Sequence, residues 1–230
     1  MPDAEALARP VRYTAEIRRG DTENTLDAVP AGEAGTMGDS ASSPGEVHQP
    51  RVIALSALER EMGKRADLSA VDTIFFAASQ TQSFASSAAK GAFRERWLGR
   101  YLEHYRENFF LAIDPRGRIA GYLAGCLVDP SRQRLFADIA YFAEIADLTH
   151  NYPAHLHINV AASWRNRGIG ALLIEAFCAH AAKAGAPGVH VVTGAHSRNG
   201  PFYARNGFRR LRSLLWNGAE IVCLGRRLSA

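Results

Sequence analysis

The stretch His155-Leu156-His157-Ile158-Asn159-Val160-Ala161-Ala162-Ser163-Trp164-Arg165-Asn166-Arg167-Gly168-Ile169-Gly170 decides how this chain is read. Its first six residues alternate. His155, His157 and Asn159 are set to face one way and Leu156, Ile158 and Val160 the other, as successive side chains of a strand do. After Gly170 the period changes, and Leu172, Leu173, Ala176, Phe177 and His180 follow at helical spacing. A short loop with two arginines and two glycines lies between strand and helix. Backbone N–H groups at the start of such a helix point into the loop, where an anion is welcome. Glycine lets a phosphate come close, because no Cβ intervenes.

Three kinds of phosphate loop have this outline. The P-loop string Gly-x-x-x-x-Gly-Lys-Ser/Thr is absent. The dinucleotide fingerprint needs a third glycine where Leu173 stands. The pattern that remains is Arg-x-x-Gly-x-Gly, from Arg165 through Asn166, Arg167, Gly168 and Ile169 to Gly170. The bland alternative is a turn between strand and helix with two solvated arginines.

Composition bounds the rest. A chain of 230 residues, 47% of them hydrophobic, suits one domain plus a tail. No run of about 18 apolar residues is present, so no membrane partner is expected. The acidic opening Met1-Pro2-Asp3-Ala4-Glu5 lacks the pattern of a signal peptide. Cys126, Cys178 and Cys223 lie far apart in apolar runs and read as buried thiols in a reducing compartment, so cytoplasm is the expected location. Residues 1–50 hold nine Asp or Glu and four Arg, and 31–45 have linker composition, so this region is expected to be an acidic, mostly disordered tail. Within it, Val11 to Ile17 alternates like a short strand. Residues 51–230 are basic, which suits an anionic ligand. Their arginines are scattered, without a dense basic block, and this argues against nucleic acid as the partner.

The order of elements follows from period and punctuation. Arg51 to Arg65 has helical spacing around Leu55, Leu58 and Met62. Val71 to Ala78 reads as a strand or the approach to a helix, and Phe93 to Phe109 as a helix with Trp97, Tyr101, Leu102 and Tyr105 on one side. Two apolar runs, Phe109 to Ile113 and Ile119 to Val128, flank Asp114-Pro115-Arg116-Gly117 and predict a hairpin. A helical patch covers Phe136 to Leu148. After the central strand and helix come a strand at Val189 to Thr193, a short helix at Gly200 to Asn206, and a hairpin turning at Asn217-Gly218. The fold class is α/β, a mixed central sheet flanked by helices.

This order and three motifs carry a resemblance. Arg165 to Gly170 resembles the acyl-CoA signature Gln/Arg-x-x-Gly-x-Gly/Ala of the GNAT N-acetyltransferases. Ile119-Ala120-Gly121-Tyr122 resembles that family's Val-x-Gly-Tyr/Phe strand, and Phe202-Tyr203-Ala204-Arg205-Asn206-Gly207-Phe208 its Phe-Tyr-x-x-x-Gly-Phe. Together they span roughly residues 70–230 and assign 51–230 to an acetyltransferase domain. Tyr152 to Ile158 and Gly188-Val189-His190 are similar to bacterial acetyltransferases that resemble the C-terminal domain of O-GlcNAcase.

The resemblance implies direct acyl transfer from acetyl-CoA (coenzyme A) to a primary amine on a small molecule or a protein. It implies that pantetheine lies along the backbone of Ile158, Asn159 and Val160, and that the pyrophosphate meets Arg165, Asn166, Arg167, Gly168, Ile169, Gly170 and Ala171. Tyr203 takes the place of the tyrosine that touches the cofactor and protonates the departing thiolate. Seven residues before it, where the family has Asn, stands His196; Asn199, four residues before, is the substitute. Homodimers are common in the family. For the general base the residues themselves offer His155 and His157, of which His157 is the candidate, with Glu144 and Asp147 as alternatives. No third ligand with metal spacing accompanies His-x-His, so no metal is expected. The alternative to an enzyme is a catalytically weak CoA-binding module of the same fold.

Overall fold

The computed structural model describes residues 50–229. The predicted strand at Val11 to Ile17 and the tail around it lie outside them. The chain opens with β1 (Arg51–Ala54) and turns at once into α1 (Leu55–Met62). The helical spacing expected from Arg51 therefore begins four residues late. Arg51 to Ala54 are drawn into the sheet by pairing with residues 110–113, a partner too distant in sequence for local periodicity to reveal.

Residues 71–78 are helical, in α2 (Ser69–Ala78). Its buried residues Val71, Ile74 and Phe75 stand at i, i+3 and i+4, the face of a helix and not of a strand. The long helix expected from Phe93 to Phe109 is broken into α3 (Ser87–Arg94), a π-helical turn (Glu95–Gly99), α4 (Arg100–His104) and a 3-10 turn. The wide turn brings Leu98, Gly99, Arg100 and Tyr101 all inside, more than a regular helix face would bury in succession. Arg100 is tolerated there because its guanidinium grips Asp138 with two hydrogen bonds of 2.9 Å and the Leu135 carbonyl at 2.6 Å.

The hairpin β2 (Phe109–Ile113) and β3 (Ile119–Cys126) forms as predicted. Asp114 nucleates its turn: one carboxylate oxygen accepts from the backbone N–H groups of Arg116 and Arg118. The helical patch resolves into two single turns, α5 (Tyr141–Glu144) and α6 (Ala146–Thr149). Then follow β4 (Ala154–Val160), α7 (Ile169–Lys183), β5 (Gly188–Gly194), α8 (Gly200–Arg205), β6 (Arg209–Trp216) and β7 (Ala219–Arg227). Asn217 and Gly218, at φ 49° and 79°, make the tight turn between the last two strands.

The seven strands form one sheet in the order β1-β2-β3-β4-β5-β7-β6. Two apolar clusters cover its faces. One is centred on Tyr101, Phe109, Leu111, Tyr122 and Phe136; the other is built on α7 through Leu173, Ile174 and Phe177. Burying each of these α7 side chains is worth about 1.5–3 kcal/mol. Such burial, more than helix propensity, fixes α7 against β3 and β4.

Among the described residues every strand pair is antiparallel except β4 with β5. This parallel pair is also short, joining only Ala154 to Val189 and His155 to His190. Beyond those residues the strands part. β4 stays bonded to β3 through Val160, and β5 to β7 through Gly194, so each exposes one unpaired backbone edge towards the other.

Candidate active site

Pairing between β4 and β5 ends at His155 and His190, and the N-terminus of α7 follows β4 by one loop. In that loop Asn166 and Gly168 both take left-handed backbone conformations, at φ 59° and 79°. No side chain caps α7 and no acidic residue stands in its first turn. Its first N–H groups are thus left for another acceptor, with the positive end of the helix dipole behind them. At Gly170 a Cβ would come within 2.9 Å of the Phe202 ring and 3.9 Å of Ile158 Cδ1. The missing side chain lets β4, α7 and α8 meet at one point.

The residues expected to meet the cofactor divide in two. Ile158 to Ala171 are contiguous along the end of β4, the loop and the first turn of α7. Arg165 Nε donates to the Val160 carbonyl at 3.2 Å, and the Arg167 guanidinium lies over the Trp164 ring at 5.2 Å. Both arginines are thereby steered by the loop while keeping further N–H donors. The Asn159 side chain is turned the other way, donating to the Tyr122 hydroxyl at 2.8 Å, so only its backbone faces the parting strands. On the far side, His196 is 88% exposed and lies 3.4 Å from Glu220. Asn199 stands at the N-cap of α8, where its side chain makes no capping bond. Tyr203 is buried between Phe202 and Phe208, and its hydroxyl has no hydrogen-bond partner among the described residues. Burial pushes this phenol well above its ordinary pKa, so it holds its proton at neutral pH.

His157 projects from the opposite face of β4. Its ring meets Trp97 edge-on at 5.4 Å, and Nε2 lies 3.1 Å from the Tyr101 hydroxyl. Trp97 in turn meets Trp216, and Trp216 meets Tyr141. Burial, with Arg100 nearby, pulls the His157 pKa down to about 4 and keeps the imidazole neutral at pH 7. Of the alternatives, Asp147 is held by Arg212 with contacts of 2.8 and 2.6 Å, and the Glu144 carbonyl accepts from the same guanidinium. The Asp147 carboxylate is therefore committed to an ion pair. The three cysteines are buried and free, and burial lifts them to about 11, 11 and 12 for Cys126, Cys178 and Cys223. None supplies a thiolate near neutrality.

Sequence reasoning missed Tyr101, Tyr122 and His190 as site residues. Tyr101 touches both His155 and His157 from 54 and 56 residues away. The one local signal was its place on the inner face of a predicted helix. His190 pairs in register with His155, and only the strand order reveals that. Among the described residues no group of three or more His, Cys, Asp and Glu is placed to hold a metal ion. No helix among them is long and apolar enough to cross a membrane.

Residues 105–210 match the family model of the acetyltransferase (GNAT) domain. Among solved structures, the crystal structure of SsHAT is similar over 79% of this chain and 100% of its own, at 23% identity and a TM-score of 0.57. The crystal structure of the NatC complex bound to Gag peptide and CoA is similar over 79% and 99%, at 14% identity and a TM-score of 0.52. These likenesses concern the fold, and the matched family segment runs from the 3-10 turn before β2 into β6, across the parted strands and the loop. The described residues have the fold of the GNAT acetyltransferases, and residues 105–210 match that family's domain model.

Proposed function

We propose that this protein transfers an acyl group, acetyl in the first instance, directly from acyl-CoA to a primary amine. One observation carries the reading: among the described residues the only parallel strand pair parts after two residues and leads, on the β4 side, into an uncapped helix N-terminus behind Arg165 and Arg167. The residues present fit the cofactor. Unpaired β4 backbone suits the amide groups of a pantetheine arm, and the open helix start with two arginines suits a pyrophosphate. When bound, coenzyme A supplies an activated thioester and a thiolate leaving group. The chain's own residues do the rest. Backbone of Ile158, Asn159 and Val160 aligns the arm, and the N–H groups from Gly168 to Ala171 hold the diphosphate. His157 takes the proton of the attacking amine, and Tyr203 gives its proton to the departing sulfur.

The amine is approached from the face that carries His157, where Trp97 and Trp216 are half-buried and line the approach. Aromatic faces suit an ammonium group and an apolar stem. The relation to bacterial acetyltransferases resembling the C-terminal domain of O-GlcNAcase belongs to this proposal. The two stretches that suggested it touch here, through His190 and the Tyr152 carbonyl. A cytoplasmic setting, with acetyl-CoA at hand, belongs to it as well.

The experiment is release of free thiol from acetyl-CoA by the full chain across a panel of primary amines and amino-terminal peptides. Amine-dependent release, lost in Tyr203→Phe while acetyl-CoA still binds, is the expected result. Binding without release on every amine would leave a CoA-binding module and end the enzyme reading.

A further inference from the structure

His155 and His157 meet at one hydroxyl, and His190 packs against His155. Tyr101 Oη lies 3.0 Å from His155 Nε2 and 3.1 Å from His157 Nε2. A phenol has one proton, so it donates to one imidazole and accepts from the other. These two distances alone allow either direction. The surroundings of His155 choose between them. Its Nε2 is taken by Tyr101, and its Nδ1 is sealed from solvent without a partner among the described residues. Its ring lies 5.5 Å from that of His190, centroid to centroid. His190 Nδ1 lies 2.5 Å from the Tyr152 carbonyl oxygen, which only accepts. The His190 proton is therefore on Nδ1, and its Nε2, likewise sealed and unpartnered, offers a lone pair. The adjacent ring thus presents a lone pair in the same sealed space, and a proton on His155 Nδ1 complements it where a second lone pair would repel it.

We infer that Tyr101 donates to His155 Nε2 and accepts from His157 Nε2–H, which fixes His157 as the tautomer whose Nδ1 lone pair is free to act as the base. His157 Nδ1 has no partner among the described residues and is not sealed from solvent, unlike the nitrogens of its neighbours. Tyr101, His155 and His190 are positioning residues: they touch no substrate and act by holding one ring in one protonation pattern. The use of this device rests on the acyltransferase reading, but its test does not.

The experiment is a nitrogen–proton correlation spectrum of the full chain with ring-labelled histidine at pH 7.5, assigned through single His→Gln variants of its 8 histidines. The expected result is opposite tautomers two residues apart: the proton on Nδ1 in His155, on Nε2 in His157, and on Nδ1 in His190. A proton on Nε2 of His155 together with Nδ1 of His157 would overturn the inference. Tyr101→Phe should leave His157 as a mixture of both tautomers. With an active amine, kcat should fall roughly tenfold while KM for acetyl-CoA stays within twofold. An unchanged His157 signal in that variant would also overturn it. If Tyr101→Phe does not fold, the spectrum of the unaltered protein decides alone. Expected tautomers without turnover on any amine would count against the acyltransferase reading and leave the hydrogen-bond chain standing.

Discussion

Two side chains carry the proton movements of the proposed reaction, and burial sets the state of both. Tyr203 keeps its phenolic proton because a charged phenolate would lie among Phe202, Phe208 and the α7 cluster. His157 stays neutral because an imidazolium would lie beside Trp97 and within the field of Arg100. Tyr203→Phe removes one oxygen from a packed ring, so its stability should change little. Its turnover should fall about a hundredfold, with acetyl-CoA affinity within twofold, as read by thiol release and by titration. An equal loss of affinity would make Tyr203 a binding residue instead. Tyr203 and His157 were legible in the sequence as candidates, one by motif and one by residue type. Their states were not, because the groups that press on them come from distant segments.

At the scale of elements, the loop before α7 works because its backbone is bent into left-handed conformations at Asn166 and Gly168. A Cβ at Gly168 would meet nothing within 4 Å, so the cost of Gly168→Ala is conformational alone. About 1–2 kcal/mol of stability should be lost, measured by urea unfolding, and Gly168→Asn should recover part of it. Equal losses in both variants would show that contacts, not φ, matter there. The elements that carry the site were readable for physical reasons: β4 and α7 announce themselves by a change of period, and the two hairpins by Asp114-Pro115 and Asn217-Gly218. Those misread fail for equally physical reasons. Arg51 to Ala54 is a strand only because residues 110–113 offer it an edge. The π-helical turn at Glu95–Gly99 adds a residue to a helix whose spacing looks regular, and by doing so sends Tyr101 inward to the histidines. The parting of β4 and β5 leaves no mark on either strand's sequence.

The whole molecule keeps several titratable groups neutral inside it, and this has a consequence for stability. His157 and His190 are held at about 4 against an ordinary 6.5, chiefly by burial. Between those values an unfolded chain takes up protons that the folded chain refuses. Stability should therefore be complete above about pH 6.5 and fall as pH drops towards 4, by up to about 3 kcal/mol for each such histidine. Urea midpoints at pH 7.5, 6 and 5 should decrease in that order. A midpoint that holds steady across this range would mean that water reaches the cluster. Replacing His190 by Gln should flatten the dependence by removing one of the groups. Residues 51–230 form a basic body, and the loop of Arg165 and Arg167 lies beside the parted strands. The central claim is that acetyl-CoA binds there. It is tested most directly by calorimetric titration of acetyl-CoA into the full chain and into an Arg165→Glu, Arg167→Glu variant of equal melting temperature. Saturable one-to-one binding to the unaltered protein, weakened at least tenfold in the variant, is the predicted result. No binding to the unaltered protein, or equal binding to both, would contradict it.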